Sequence, residues 1–385
     1  MNNILKIENC TNCMACVNIC PKQALDLKED DLFYKIEINE TKCINCGLCL
    51  RTCPINNLNP NLNVIAAYGG WTTDKSIVKT SSSGGAFTVL ADYILEKGGV
   101  VFGAAYSEDF RKVYISNTEE TSIENIKRSK YVESIVGDSF QKVKYYLMCD
   151  RYVLFCGTPC QVAGLKKYLG AEYEKLVTID FACGGLASHM LYKSRLTYLE
   201  KRYNSKICNV NFRPGSYGWS RHAIKVEFEN GKKYDLPAQF DPYTYSFLYI
   251  RSSIRDNCLD CKFRENHYSD FIIADFWKWK DCSSLHNDES GISLILINSF
   301  KAKHIFDDVK DNMYLEEIEI ENAKYNCYKS PVPTKEYLAQ REKFLSCCKE
   351  KGLTVASKQQ GMKSGLNAFI RKTKIVWDAK NEKKE

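Results

Sequence analysis

No apolar run in this 385-residue chain approaches the about 18 residues that a membrane-spanning helix needs, so no membrane span is expected. Met1 to Asn9 contains no basic region leading into an apolar stretch, which argues against a secretory signal. Internal repetition is confined to one doubled cysteine run near the N-terminus. Disorder is excluded by composition, since 44% of the residues are hydrophobic and 24 are tyrosine, enough for a large globular core. The length exceeds one average domain, so two domains and a tail are expected.

Cysteine, by contrast, is abundant, at 19 residues. In a short secreted chain that number would suggest disulfides. Here the chain is long and the spacing is of the metal-binding type, which points to a reducing, cytoplasmic compartment. The sequence reads Cys10-x2-Cys13-x2-Cys16-x3-Cys20-Pro21, then repeats as Cys43-x2-Cys46-x2-Cys49-x3-Cys53-Pro54. Each half matches the run C-x2-C-x2-C-x3-C-P, whose fourth cysteine ligates the other cluster. Cys10, Cys13, Cys16 and Cys53 are thereby assigned to one 4Fe–4S cluster, and Cys43, Cys46, Cys49 and Cys20 to a second. The exchanged ligand ties together a unit too small to fold on a hydrophobic core alone. Structural zinc is the competing reading, because zinc also takes four thiolates. Two consecutive four-cysteine runs, each closed by proline, are however rare among zinc sites. Residues 1–60 are therefore read as a bacterial two-cluster 4Fe–4S ferredoxin module.

Residues 55–63 are polar, contain proline and read as a linker. Val64 to Trp71 is a candidate strand. Thr80-Ser81-Ser82-Ser83-Gly84-Gly85 then precedes Ala86 to Lys97, whose Phe87, Leu90, Ala91, Ile94 and Leu95 recur at helical spacing. A helix start with free N–H groups is an anion site suited to a flavin phosphate, while an ordinary capped helix is the plainer alternative. Gly98-Gly99 marks the end of that helix, and Val100 to Tyr106 is a short strand. Arg128 to Val132 reads as a loop in which Lys130 is by default a solvated charge. Tyr152 to Cys156 and Leu176 to Phe181 read as parallel strands, each followed by a turn bearing a cysteine, Cys160 or Cys183, and then by a helix. That edge is where open α/β sheets place their ligands.

From about Ile207 the pattern becomes mixed β. Ala223 to Phe228 alternates, Asn230-Gly231 is a hairpin turn, and Tyr243 to Ile250 is expected to be helical. Asp270 to Trp277 and Gly291 to Ser299 read as strands, the second apolar on both faces. A short helix is expected near Lys301 to Val309. Beyond Ser346 the chain turns lysine-rich and reads as a basic tail over 346–385. In that tail Ala368, Phe369, Ile375 and Trp377 could share one helical face.

Cys258-x2-Cys261 is half of a metal site. Cys160 and Cys183 are the best partners, both lying on turns at one edge of the expected sheet, with Cys156 in reserve. Together Cys160, Cys183, Cys258 and Cys261 would hold a third 4Fe–4S cluster, with zinc again the rival. The formal charge of +7, corrected by about −2 for each of three clusters with its thiolates, falls to roughly +1. The charge therefore gives no reason to expect a nucleic-acid partner.

Several segments together resemble the β subunits of coenzyme F420 (deazaflavin) hydrogenases and dehydrogenases. They are Ser81-Ser82-Ser83-Gly84-Gly85-Ala86-Phe87, Gly98 to Ala104, Ser129-Lys130-Tyr131-Val132, Cys156-Gly157-Thr158-Pro159-Cys160-Gln161, Asn257-Cys258-x2-Cys261 and Ala274-Asp275-Phe276-Trp277. The branch resembled carries a ferredoxin module in front. The resemblance covers roughly residues 1 to 345 and implies an α+β protein. After the ferredoxin module would come a larger α/β flavin-binding domain with a mixed sheet over 61–345, in halves 61–205 and 206–345. It further implies FAD held near Ser82, Ser83, Gly84 and Gly85, with Lys130 and Thr158 among its contacts and Lys130 as the candidate catalytic group. Relatives commonly carry a histidine after the cysteine corresponding to Cys183, where this chain has Gly184.

The expected function is an iron–sulfur flavoprotein oxidoreductase passing electrons between ferredoxin-type clusters and FAD to act on a small organic substrate. Relatives outside F420-using organisms suggest a setting in cell-surface polysaccharide metabolism. A redox partner protein or a ferredoxin- or flavodoxin-type donor is expected. The alternative is an electron-relay subunit that docks on a separate catalytic partner and has no substrate of its own.

Overall fold

Residues 9–60, 63–285, 291–328, 333–364, 370, 371 and 373–375 are described by the computed structural model of the protein. The doubled cysteine run folds as two copies of one turn. Asn12 (φ 55°) and Asn45 (φ 54°) occupy the left-handed region, as do Met14 (φ 59°) and Gly47 (φ 71°) two residues on. Asparagine and glycine tolerate that region better than other residues. Two short helices follow, α1 (Ala15–Ile19) and α2 (Leu48–Thr52), and each ends at a cysteine with extended backbone, Cys20 or Cys53. The cause is Pro21 or Pro54, because proline disfavours helical geometry in the residue before it. A hairpin of β1 (Leu25–Glu29) and β2 (Tyr34–Ile38) completes the module. Its own buried apolar side chains are few, and Cys13, Met14 and Ala15 instead share a core cluster with Val162 and Ala163 of the larger domain.

The larger domain holds nine strands in one mixed sheet. They are β3 (Ala66–Thr72), β4 (Val100–Tyr106), β5 (Val113–Asn117), β6 (Ser134–Ile135), β7 (Val153–Cys156), β8 (Leu176–Phe181), β12 (Phe271–Asp275), β13 (Ser293–Ile297) and β14 (Met313–Glu317). Their order is β14-β3-β13-β12-β8-β7-β4-β5-β6, and the central four, β12, β8, β7 and β4, run parallel. A separate antiparallel sheet is formed by β9 (Ile207–Asn211), β10 (Ala223–Phe228) and β11 (Lys233–Pro237), with the turn at Asn230-Gly231 between the last two. The helices in chain order are α3 (Lys75–Thr80), α4 (Ala86–Glu96), α5 (Ile123–Ile126), α6 (Ser139–Met148), α7 (Pro159–Leu169), α8 (His189–Tyr203), α9 (Pro242–Thr244), α10 (Trp279–Cys282), α11 (Phe300–Val309), α12 (Ile320–Tyr328), α13 (Lys335–Lys351) and α14 (Leu353–Gln359).

Alternation along the parallel strands sends Val101, Leu154 and Val177 to one face and Val100, Phe102, Val153, Phe155 and Leu176 to the other. The first set packs against α4 and α11, the second against α6 and α7. All five residues of β13 are buried, as the apolar run predicts, although both of its neighbours are antiparallel to it. No helix among the described residues is long and apolar enough to cross a membrane.

Tyr243 to Ile250 is helical through Tyr249, α9 passing into a single π-turn over Tyr245–Tyr249. Two expectations need correction. The halves 61–205 and 206–345 do not separate structurally, because the large sheet takes β3 to β8 from the first and β12 to β14 from the second. The boundary at 346 falls inside α13, and Cys347, Cys348, Leu353 and Ala356 are buried against a cluster that includes Tyr243 and Leu196. Of the residues proposed to share a face in the tail, Ala368, Phe369 and Trp377 lie outside the described residues.

Phe344 is 1% exposed in that cluster. Phe344→Ala should cost about 3–5 kcal/mol of unfolding free energy, and ending the chain at 345 should destabilise it comparably. Denaturant titration measures both, and a change within ±0.5 kcal/mol would return these helices to the status of a tail.

Candidate functional site

The thiols fall into three groups. A cavity of about 350 Å³ is lined by Cys20, Cys43, Cys46 and Cys49, which is the second ligand set with its exchanged member. In the first set, burial raises Cys16, and the neighbouring charges that add to the effect include Cys10 and Cys53. Cys20 thus lines the cavity of the second group, while Cys53 acts on Cys16 of the first, as Cys49 of the second also does. In the third set burial pushes Cys160, Cys183 and Cys258 each up to about 12, with charges from the other members, Cys261 included, adding to it. Thiols so raised resist ionisation on their own, and a bound metal centre reverses that balance.

The third set is positioned by the parallel core. Cys160 lies in the first turn of α7 after β7, and Cys183 follows β8. Gly185 (φ 120°) allows close approach to the half-site, since a Cβ there would lie 3.1 Å from Cys258 Cβ. The Leu186 N–H donates to Cys258 Sγ at 3.3 Å. The first set abuts the third: Cys160 is among the charges felt by Cys13, and the Asn257 side-chain amide donates to the Cys10 carbonyl. Among the described residues no three His, Cys, Asp or Glu side chains stand close enough to share a single metal ion.

The serine-glycine loop lies at the same edge of the sheet, after β3. Its residues are tied to protein. Ser82 Oγ accepts from the Ser129 N–H at 2.9 Å, Ser83 Oγ donates to the Ile292 carbonyl at 2.8 Å, and the Gly84 carbonyl accepts from Thr72 N–H at 2.8 Å. A Cβ on Gly84 would lie 2.8 Å from Ser293 N and 2.9 Å from Trp71 Cα. Gly85 has φ 89°, and a Cβ there would meet Thr72 at 2.9 Å. Both glycines are therefore accounted for by packing and backbone geometry. Substitution of either would disturb the loop whether or not it binds a phosphate. Thr158 caps α7, its N–H donating to Gln161 Oε1 at 3.0 Å, and its Oγ1 stands 3.1 Å from Cys160 Sγ.

Lys130 is not the solvated charge that a loop lysine would be by default. Its Nζ donates to the carbonyls of Lys127 at 2.7 Å and Ile126 at 3.3 Å, and lies 5.6 Å from the centre of the Tyr106 ring. Burial, helped by the charge of Arg128, pulls its pKa down to about 7.

Sequence reasoning missed what holds this edge together. Arg213 pairs with Asp275 at the end of β12, Nη1 to Oδ2 at 2.9 Å, and its Nη2 donates to the Ser82 carbonyl at 3.1 Å. The Trp219 indole N–H donates to Asp275 Oδ1 at 3.0 Å, and its ring stacks on Trp277 at 4.8 Å. His222 stands 3.0 Å from Arg213 Nη1, and burial with that neighbouring cation pulls its pKa down to about 3. The Asp275-Phe276-Trp277 stretch was a signal in the sequence. Arg213 gave none, because no local spacing links it to partners on other elements.

Residues 67–137 match the N-terminal model of the coenzyme F420 hydrogenase/dehydrogenase beta-subunit family, and residues 150–323 match the C-terminal model of the same family. Residues 9–57 match a 4Fe-4S dicluster domain. No curated protein matches the chain. Among solved structures it is similar to a chain of the F420-reducing NiFe hydrogenase complex from Methanosarcina barkeri, at 19% identity and a TM-score of 0.43. That match covers 77% of this chain and 91% of the other.

A depressed lysine pKa carries a sign. Between about 7 and the ordinary lysine value near 10.4 the unfolded chain binds more protons, so stability rises with pH in that window. Lys130→Met should therefore gain most over the parent at pH 7, with the gain shrinking by pH 10. Denaturation at both pH values tests this, and a gain independent of pH would show that Lys130 is solvated.

Proposed function

The chain belongs to the coenzyme F420 hydrogenase/dehydrogenase beta-subunit family, and from that membership we propose that it is an iron–sulfur flavoprotein oxidoreductase working in a reducing, cytoplasmic setting. In this reading Cys10, Cys13, Cys16 and Cys53 hold one 4Fe–4S cluster, and Cys20, Cys43, Cys46 and Cys49 a second. Cys160, Cys183, Cys258 and Cys261 hold a third. FAD is proposed at the sheet edge beside the serine-glycine loop. Bound together, the clusters supply one-electron transfer and the flavin couples it to two-electron chemistry on an organic substrate.

The observation that carries the reading is the succession of thiol groups. Cys16 senses Cys49 of the second set, and Cys13 senses Cys160 of the third. The three sets thus adjoin in order, from a surface where Cys46 is exposed to the parallel strand ends where Lys130 is half-buried. At those ends Lys130 is a cation with a pKa near neutrality, suited to holding or giving a proton beside a reduced ring. It takes the acid–base role that a histidine at position 184 would otherwise offer. Arg213 and Asp275 fix the loop and one wall, while Trp277, 42% exposed, gives a flat face for a planar or sugar-like substrate. Cell-surface polysaccharide metabolism is the proposed setting.

The exposed Ile44 and Cys46 at the rim of the second cavity also favour a second reading, an electron-relay subunit seated on a catalytic partner. Protein prepared without oxygen should contain about twelve irons and one flavin per chain, and Cys258→Ala should lose about four of those irons. Turnover of an artificial donor by the isolated chain separates the readings. Eight irons without flavin would leave the relay, and unchanged iron in Cys258→Ala would remove the third cluster.

A further inference from the structure

One buried carboxylate joins the three segments on which the proposed cofactors depend. Glu133, 2% exposed, stands three residues after Lys130. Its Oε1 accepts from Asn12 Nδ2 at 2.9 Å and from Arg255 Nη2 at 3.0 Å. Asn12 lies between Cys10 and Cys13, and its amide also donates to the Tyr34 carbonyl at 2.8 Å. Arg255 lies three residues before Cys258 and donates to the same carbonyl. The Phe33 ring is 5.3 Å from the guanidinium, and Tyr34 stacks on His189 at 3.7 Å, so the pair is sealed by aromatic rings.

Arg255 is thus a cation between the Cys10 turn and the Cys258 half-site. Its guanidinium shares the Glu133 oxygen and the Tyr34 carbonyl with Asn12 of that turn, and Asn257, two residues on, donates to the Cys10 carbonyl. Among the described residues the second half of the module has no buried counterpart of this pair: Asn45, the counterpart of Asn12, is exposed, and so is Arg51, whose guanidinium donates to the Cys46 carbonyl at 3.2 Å. A buried ion pair is a poor way to fasten two surfaces, because apolar side chains of equal volume would do so without removing two charges from water. Its use here fits a place where the charge nearby changes by one with every electron.

We propose that Arg255, held by Glu133, is the positioning cation between the first ferredoxin cluster and the third cluster, and that it raises the reduction potential of both relative to the second. The inference rests on the proposed ligand sets, with the third cluster needed for only half of it. The two charges should act in opposite directions. Arg255→Gln should lower the potential of the first cluster, and Glu133→Gln, which leaves the cation unopposed, should raise it. The expected change is about tenfold in the reduction equilibrium, or about 59 mV for one electron. Arg255→Lys should recover most of the loss. EPR-monitored titration of each purified variant, with iron content measured alongside, reads these shifts, and the second cluster is the internal reference.

Opposite shifts of the first cluster against an unmoved second would establish the role. No shift, shifts of the same sign in both variants, or equal movement of both clusters would reduce the pair to a structural fastening. Should Arg255→Gln fail to fold, Glu133→Gln decides alone, by a rise in the first potential or its absence. A parent protein with only eight irons would refute the third cluster while leaving the comparison of first and second intact.

Discussion

Thiols that are to surround one centre must arrive from several directions, and the parallel core of the sheet provides them. Adjacent parallel strands end at one edge, so turns far apart in sequence become neighbours there. Cys160 follows β7, Cys183 follows β8, and the Cys258 half-site lies on the connection that leads into β12, the next strand over. The serine-glycine loop after β3 and the Lys130 loop share that edge. The ferredoxin module, with few buried apolar side chains of its own, uses the same domain as its missing core through Cys13, Met14 and Ala15. Fold and site therefore have one origin.

What could be read from the sequence was what local spacing encodes. The two cysteine runs declare themselves because ligand geometry and the proline after each fourth cysteine are local, and Cys20 and Cys53 take the extended backbone that the following proline imposes. The strands before Cys160 and Cys183 were legible as short apolar runs for the same reason. The proposed pairing of those cysteines with Cys258 and Cys261 rests on the assumption of parallel strand ends.

The misreadings share a cause, since burial belongs to the folded whole. A lysine in a polar loop looks solvated, yet the carbonyls at the end of α5 enclose Lys130 Nζ. A lysine-rich stretch looks like a tail, yet α13 and α14 bury one face and leave their lysines on the other. A side chain added at Gly84 or Gly85 would meet β3 and its neighbours, a constraint that no local pattern announces. Arg213 was invisible because its meaning lies in Asp275, 62 residues away.

The ferredoxin module is close to symmetric within itself: two turns with matching left-handed residues, two short helices, two extended cysteines. Its surroundings are not symmetric, since Asn12 is clamped inside the protein and Asn45 faces water. A duplicated motif has thereby acquired an inside and an outside without changing its shape. Polarity comes from the neighbour and not from the repeat. Either half could in principle have served as the plug, and the first is the one seated, through Cys13, Met14 and Ala15 and through the Glu133 carboxylate on the other domain.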